Sequence, residues 1–561
     1  MKDFNTDKLP KAQHAVQLVG PDELVLNKSK DIFYPGSHQI LCRIEAVGLC
    51  FSDLKLLKQF SKHVRKSEIV SGIEPDILEQ IPSYVPGESP SVPGHETVIR
   101  IEAVGTGVEN FQAGQRYLVQ TDYRWLATAD SNAAFGYNFE GALQEYVLMD
   151  ERVITSPAGD SMLIPVSEQL SASAVALVEP WACVEDAYAC HERRSLKIDG
   201  QMLIVAEMEL AEGAFGDLFD KYGKPGQITW ISKFSPPASL EGELKKASGA
   251  AEVKNDVYDD VIYFGCDVKN VEELFAKIAP HGIINIVLCG GTFARDINTP
   301  VGRVHYGGIR IIGTTATNPA DSMAYIPQTG EIRAGDKINV IGAAGPMGLM
   351  HVVRNICHDL DDLSVYAGDV DDARLEALTK IVQPLAGKNN AEYKAYNSIK
   401  EKISEAFDYI VLMAPIPTLV VEATLAAGQK AIINIFAGIP ATVSASIDLN
   451  AYIEKQLYYI GTSGSTIDDM KVVLSKVETS RLDTNVSVAA ICGLDGAVEG
   501  IRAVENRLIA GKIIVFPACK GLGLTTLEEL SQKMPEVAKS LNSGLWTKQA
   551  ELKLLEKYGQ A

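Results

Sequence analysis

Apolar and polar residues alternate along one part of the chain and recur at helical spacing along others. From Val92 to Val119 the sequence VPGHETVIRIEAVGTGVENFQAGQRYLV places a Pro-Gly turn before the alternating run TVIRIEAVG and a second, glycine-bounded strand. That rhythm predicts a small β-barrel-like domain. The segment LSASAVALVEPWACVEDAYACHE, Leu170 to Glu192, is alanine-rich at helical spacing. It is interrupted at Glu179-Pro180, because proline disfavours the α conformation in the residue before it. From Asp336 to Ile356, DKINVIGAAGPMGLMHVVRNI predicts a buried strand, a glycine-rich turn and an apolar-periodic helix. Beyond Leu524 the tail predicts two amphipathic helical stretches with an N-cap at Thr525 or Thr526 and Trp546 plugging a groove.

The patterns repeat. HGIINIVLCGG, from His281, parallels QKAIINIFAGI, from Gln429, with Asn285 corresponding to Asn434 and Gly313 to Gly461. Upstream, SLKIDGQMLIVAE pairs with EIRAGDKINVIGA, so a strand–turn–helix nucleotide-binding unit is expected twice. The second copy carries Gly342, Gly345 and Gly348, with Pro346 and Met347 between the last two, and its next strand ends at Asp369, 21 residues after Gly348. Glycines allow close approach of a pyrophosphate, the helix N-terminus offers it free N–H groups, and a carboxylate at that distance suits the adenosine ribose hydroxyls. Asp371 and Asp372 beside Asp369 would repel a 2′-phosphate, favouring NAD over NADP. In the first copy Ala206 replaces Gly342, and Glu207, Glu209 and Glu212 crowd the turn. Carboxylates at a helix N-terminus would repel a pyrophosphate, so this copy is expected to be degenerate. A disabled copy in the same chain could cap a sheet edge internally, making the monomer a pseudo-dimer; a homo-oligomer through other surfaces stays open.

Composition limits the class of ligand. The chain has 561 residues, 46% hydrophobic and 22% charged, with a net charge of −20, so a basic nucleic-acid surface is not expected and a small-molecule substrate is. No apolar run of membrane-spanning length occurs, and the start MKDFNTDKLPKAQH has no signal-peptide core; a cytoplasmic protein is expected. Nine cysteines form no CxxC pair, which does not suit a disulfide framework.

One cysteine sits in an unusual setting: Cys50, in EAVGLCFSDLK, follows a glycine turn. His95 and Glu96 stand at the mouth of the first alternating strand, and Glu179 at the helical break. Thiolate, imidazole and carboxylate are the donors zinc takes when three protein ligands leave a fourth position open. Taken singly, each residue reads equally well as a turn, a helix end or a buried thiol.

Together, GLCFSD, PGHE and VEPWA, in that order, resemble the zinc-dependent medium-chain dehydrogenase/reductase superfamily, particularly its sorbitol-dehydrogenase-like branch and its long sorbose-1-phosphate-reductase-like members. The resemblance implies an α/β fold with a GroES-like β-barrel catalytic domain and a Rossmann-type doubly wound domain, which the internal repeat makes two in tandem, the first degenerate. The implied divisions are 1–185, with an insertion at about 55–90, then 186–330, 331–480, a return segment 481–520 and a helical extension 521–561. It further implies that Cys50, His95 and Glu179 hold one catalytic zinc, with Glu96 nearby either as a group behind the ligands or as an exchangeable ligand, Ser52 as hydroxyl relay and Asp53 orienting His95. The stretch that carries four structural-zinc cysteines in many members has none here, so no second zinc is expected. The insertion either shapes the substrate entrance or decorates the surface. The implied activity is hydride transfer between NAD and a secondary hydroxyl of a polyol, sugar or sugar phosphate; the alternatives are a non-catalytic NAD-sensing or scaffold protein and a zinc-free reductase.

Overall fold

The computed structural model describes residues 9–559 apart from 239, 241, 242 and 463; the first eight residues, from which no leader was expected, lie outside it. The chain forms two compact units, one running to Ala182 and resuming at Ser465, the other spanning Cys183–Gly464. The expected divisions at 185 and 480 therefore shift. The second moves most, because Ile467, at the start of the Ile467–Glu478 helix, already packs on the first unit's core. The expected 186–330 domain and the expected 331–480 domain as far as Gly464 share one unit. Among the described residues no helix is long and apolar enough to cross a membrane.

In the first unit the hub is the strand Gln39–Gly48, whose residues are buried almost without interruption, as a strand covered on both faces requires. It pairs antiparallel with Glu96–Val104, placing Gly48 opposite Glu96, and with Tyr146–Asp150. At the same end it meets Lys512–Val515, with Ile514 opposite Gly48. This eight-stranded sheet continues through Val488–Cys492 to Thr525–Thr526. The register thus brings three distant segments to one sheet end, where the chain leaves Gly48 for Cys50. The insertion is built in rather than laid on: Leu56, Leu57, Phe60, Leu78 and Ile81 from it, with Leu54 just before it, belong to the main apolar core.

The tail differs from expectation. Thr525–Thr526 is a short strand paired to Val488–Cys492, and three helices follow, Leu530–Lys533, Pro535–Ala538 and Lys548–Tyr558. Thr526 and Glu529 do exchange the reciprocal bonds of a capping box, but in the turn that precedes the first helix. Trp546 is fully buried, its indole N–H donating to Ser173 Oγ at 3.1 Å.

The second unit contains two six-stranded parallel sheets. One runs spatially Glu243–Ala247, Gln227–Ile231, Gln201–Ala206, Tyr258–Phe264, Ile278–Val287, Arg310–Thr314. The other runs Glu392–Asn397, Ser364–Asp369, Lys337–Ile341, Phe407–Leu412, Ala427–Asn434, Tyr458–Ile460. Numbered along the chain, both have the order 3-2-1-4-5-6 of a dinucleotide-binding sheet. Ile297–Thr299 and Ala445–Ile447 pair as an antiparallel ribbon between the two halves. One apolar cluster, including Ile286, Ile311, Ile433 and Tyr459, runs through both.

Candidate functional site

Cys50 ends the turn after Gly48 and stands at the N-cap of the Phe51–Gln59 helix. Its N–H donates to Asp53 Oδ2 at 3.0 Å, while Asp53 Oδ1 lies 3.1 Å from His95 Nδ1. One buried carboxylate therefore fixes both the loop that carries the thiol and the ring that carries the imidazole, leaving His95 Nε2 as the outward nitrogen. Ser52 Oγ is 3.1 Å from Cys50 Sγ and 3.1 Å from His95 Nε2. Burial opposes a charge on His95, but Asp53 and neighbouring hydrogen bonds hold its pKa well above the ordinary range.

The structure groups Cys50, His95 and Glu96, with one donor atom from each within 4.8 Å of the others. Glu96 is fully buried; its Oε1 accepts from Lys512 Nζ at 2.5 Å and its Oε2 has no hydrogen-bond partner. Lys512 also donates to Leu49 O at 2.8 Å. Burial weakens the Lys512 ammonium, but Glu96 first, then Cys50 and Glu179, raise its pKa. Glu179, expected in the ligand set, is outside this group: it lies buried in the first turn of the Val178–Ala189 helix, next to Pro180. Burial raises its pKa, with His95 pulling it down and Glu96 pushing it up, so it shares their electrostatic field.

The sequence reading missed four neighbours. Lys512 sits in KIIVF, where a lysine among apolar strand residues signals a buried partner. Tyr137 is buried beside this group, its ring 5.8 Å from that of His95. His63 and Arg65, from the insertion, flank the same tyrosine, His63 at 5.1 Å ring to ring and the Arg65 guanidinium at 5.6 Å. Arg65 is held by Asp122 at 2.7 Å, and burial lowers the His63 pKa to about 4. The insertion thus supplies side chains within two rings of His95.

In the second unit the glycine turn follows Lys337–Ile341 and opens the Pro346–Ile356 helix, with Gly345 as N-cap and Pro346, Met347 and Gly348 in its first turn. Gly342 has φ 86°, and a Cβ on Gly348 would lie 2.3 Å from Gly342 O, so helix and turn meet through glycine alone. At Gly345 the nearest atom to such a Cβ is 3.9 Å away, leaving that face of the turn open. Asp369 ends the next strand; its carboxylate accepts from Ala344 N–H at 3.0 Å and Val370 N–H at 2.8 Å. Asp371 caps the following helix, and Asp372 pairs with Lys400.

The first glycine-poor turn differs from its expected form. No helix opens directly after Gln201–Ala206; the next, Leu218–Tyr222, has five residues. The carboxylates therefore do not face the N-terminus of a helix following directly on their own strand. Glu207 instead accepts from Tyr263 Oη, from Asn270 Nδ2 at 2.8 Å and from Cys266 N–H at 3.2 Å, filling the crevice beside its own strand.

Residues 36–158 match the alcohol dehydrogenase GroES-like domain family. Over 249 residues the chain is 26% identical to the uncharacterized protein YggP of Escherichia coli (strain K12), covering 41% of this chain and 58% of that one. Over 229 residues it is 25% identical to L-sorbose 1-phosphate reductase of Klebsiella pneumoniae, covering 38% of this chain and 54% of that one. The chain therefore spans little more than half the length of these relatives. In fold it is similar to 2R,3R-butanediol dehydrogenase from Bacillus subtilis, with a TM-score of 0.51, 15% identity and coverage of 90% of this chain and 100% of that one.

Proposed function

We propose that this chain, which carries the GroES-like domain of the alcohol dehydrogenase superfamily, is a zinc-dependent oxidoreductase. It moves a hydride between NAD(H) and a secondary alcohol or ketone of a polyol, sugar or sugar phosphate. The observation that carries this reading is the gathering of the Cys50 thiol, His95 imidazole and Glu96 carboxylate within 4.8 Å. These donors fit zinc, and the partnerless buried Glu96 Oε2 has capacity for a cation. Cys50, His95 and a carboxylate would hold one ion, with Glu96 in the arrangement seen and Glu179 as its alternative.

When bound, zinc polarises the substrate oxygen as a Lewis acid. The chain's own residues do the rest. Asp53 holds the His95 ring and the Cys50 loop in place. Ser52 Oγ, adjoining both donors, takes the alcohol proton. Lys512 neutralises Glu96 in a region where a lone carboxylate would be costly.

For the cofactor, the open face at Gly345 and the first-turn amides at Met347 and Gly348 suit a pyrophosphate, and Asp369 beside Asp371 and Asp372 favours NAD. The matching strand orders and the ribbon between the two halves support an internal duplication whose first copy no longer binds dinucleotide and acts as a tethered partner. The likeness to L-sorbose 1-phosphate reductase supports keeping sugar phosphates among the candidate substrates.

The deciding experiment is zinc content by elemental mass spectrometry together with NAD reduction on a panel of polyols, sugars and sugar phosphates. About one zinc per chain with turnover is expected, and both should vanish in Cys50→Ala. A metal-replete preparation without zinc would overturn the site.

A further inference from the structure

In the first of the two six-stranded sheets, Phe264 stands opposite Val287 in parallel register, and the ladder ends where Gly265 N–H donates to Val287 O at 3.1 Å. Two residues beyond these partners stand Cys266 and Cys289. Neighbouring strands run about 4.8 Å apart, and disulfides join Cα atoms separated by roughly 4.4–6.8 Å. The strands end at Phe264 and Val287, so the register sets the two cysteines in the turns that leave adjoining strand ends.

The turn beyond the strand strengthens the juxtaposition. Gly291 N–H closes on Leu288 O at 2.8 Å, and its central residues, Cys289 at φ 52° and Gly290 at φ 79°, give a type I′ form. A cysteine occupies a left-handed position that glycine, asparagine or aspartate fill with less strain. Cys266 Sγ lies 2.9 Å from where a Cβ on Gly291 would stand, so the other sulfur is seated against this turn. Both cysteines are partly exposed. Partial burial, and then the neighbouring Cys266, push the Cys289 thiol up.

We propose that Cys266 and Cys289 form a reversible disulfide, a redox modification site at the strand ends of the first sheet. With glutathione disulfide as oxidant, one cysteine thiolate attacks it and releases one reduced glutathione. The second then attacks the mixed disulfide and releases another. The two electrons and two protons lost by the cysteines thus end on two glutathione thiols. The pair is peculiar to the first sheet. The same register recurs 149 residues later, Asp260 with Ile283 becoming Tyr409 with Ile432, and there the corresponding residues are Pro415 and Gly438. This inference does not depend on the zinc or NAD assignments.

The test equilibrates the full chain in reduced and oxidised glutathione mixtures at pH 8, where thiolate is available, then quenches it in acid, alkylates it and digests it with trypsin without reduction. Lys269 and Lys277 separate the two cysteines into different peptides. The expected product is a linked pair of those peptides, two hydrogens lighter than their sum and released by dithiothreitol. It should be absent from Cys289→Ser and from Cys289→Gly; glycine suits φ 52°, so the latter variant keeps the fold. Recovery of both cysteines alkylated from the oxidising mixture, each bearing its own glutathione, or linked to other cysteines, would overturn the proposal.

Discussion

The Glu551 carboxylate caps the helix Ala172–Ala176, accepting from Ala172 N–H at 2.6 Å and from Ser173 N–H and Oγ–H at 2.9 and 2.7 Å. A residue of the C-terminal extension thereby satisfies orphan amides of a helix 379 positions earlier. Burial raises its pKa while these bonds lower it, so its charge is tolerated because the helix end needs it. Glu551→Gln should cost about 2 kcal/mol, the scale of hydrogen bonds to a charged group, and lower the urea midpoint. An unchanged midpoint would show that the extension packs without capping.

Lys512 and Glu96 make a second buried pairing, with an expected signature of mutual dependence. Lys512→Met leaves a fully buried carboxylate without its cation and should destabilise the first unit by about 3–5 kcal/mol. Adding Glu96→Gln to that variant should recover a large part of the loss. Denaturant titration of both singles and the double closes the cycle; simple additivity would mean that the two groups act separately.

Two glycines of the nucleotide turn should fail in different ways. Gly348→Ala drives a methyl to 2.3 Å from Gly342 O and should lower thermal stability and NADH affinity together. Gly345→Ala has space around it and an ordinary N-cap backbone, so the fold should survive while NADH affinity drops at least tenfold. Melting curves with fluorescence titration of NADH separate the two outcomes; unaltered affinity in Gly345→Ala would move the pyrophosphate elsewhere.

His351 predicts an acid weakness in the second unit. Burial, then the charge of Arg354, lowers its pKa from 6.5 to about 3, so the folded chain keeps the ring neutral while the unfolded chain takes a proton. Stability is therefore lost as pH falls from 6.5 towards 3, by about 2 kcal/mol at pH 5. His351→Gln, which keeps an acceptor for the Tyr188 hydroxyl, should flatten that decline. Urea midpoints of both proteins at pH 7 and pH 5 give the comparison, and parallel declines would rule out His351 as the source.

Features encoded over a few adjacent residues were visible in the sequence. Cys50, Ser52 and Asp53 occupy one helix start, and Gly342 to Gly348 one turn, so local spacing is enough to single them out. Features set by sheet register were not. Lys512 reaches Glu96 across 416 positions only because both strands flank Gly48, and nothing near Lys512 in the sequence names its partner. Glu207 is legible as unusual but its role is not: three acidic residues after a strand suggest a repelled phosphate, whereas no helix opens directly after that strand. Thr525 and Thr526 suit a helix cap or an edge strand equally, and pairing with Ile491 and Ala490 decides for the strand.

The ribbon joining Ile297–Thr299 to Ala445–Ile447 has a kinetic meaning. Were the two halves separate molecules, their pairing would obey mass action and weaken on dilution. On one chain the encounter is unimolecular, so the local concentration of each half around the other is fixed by the intervening polypeptide. The cost falls on folding: Ile297 must find Ile447 across a closed loop of 150 residues, a contact that pays its chain entropy before it returns any packing and slows the last assembly of the unit.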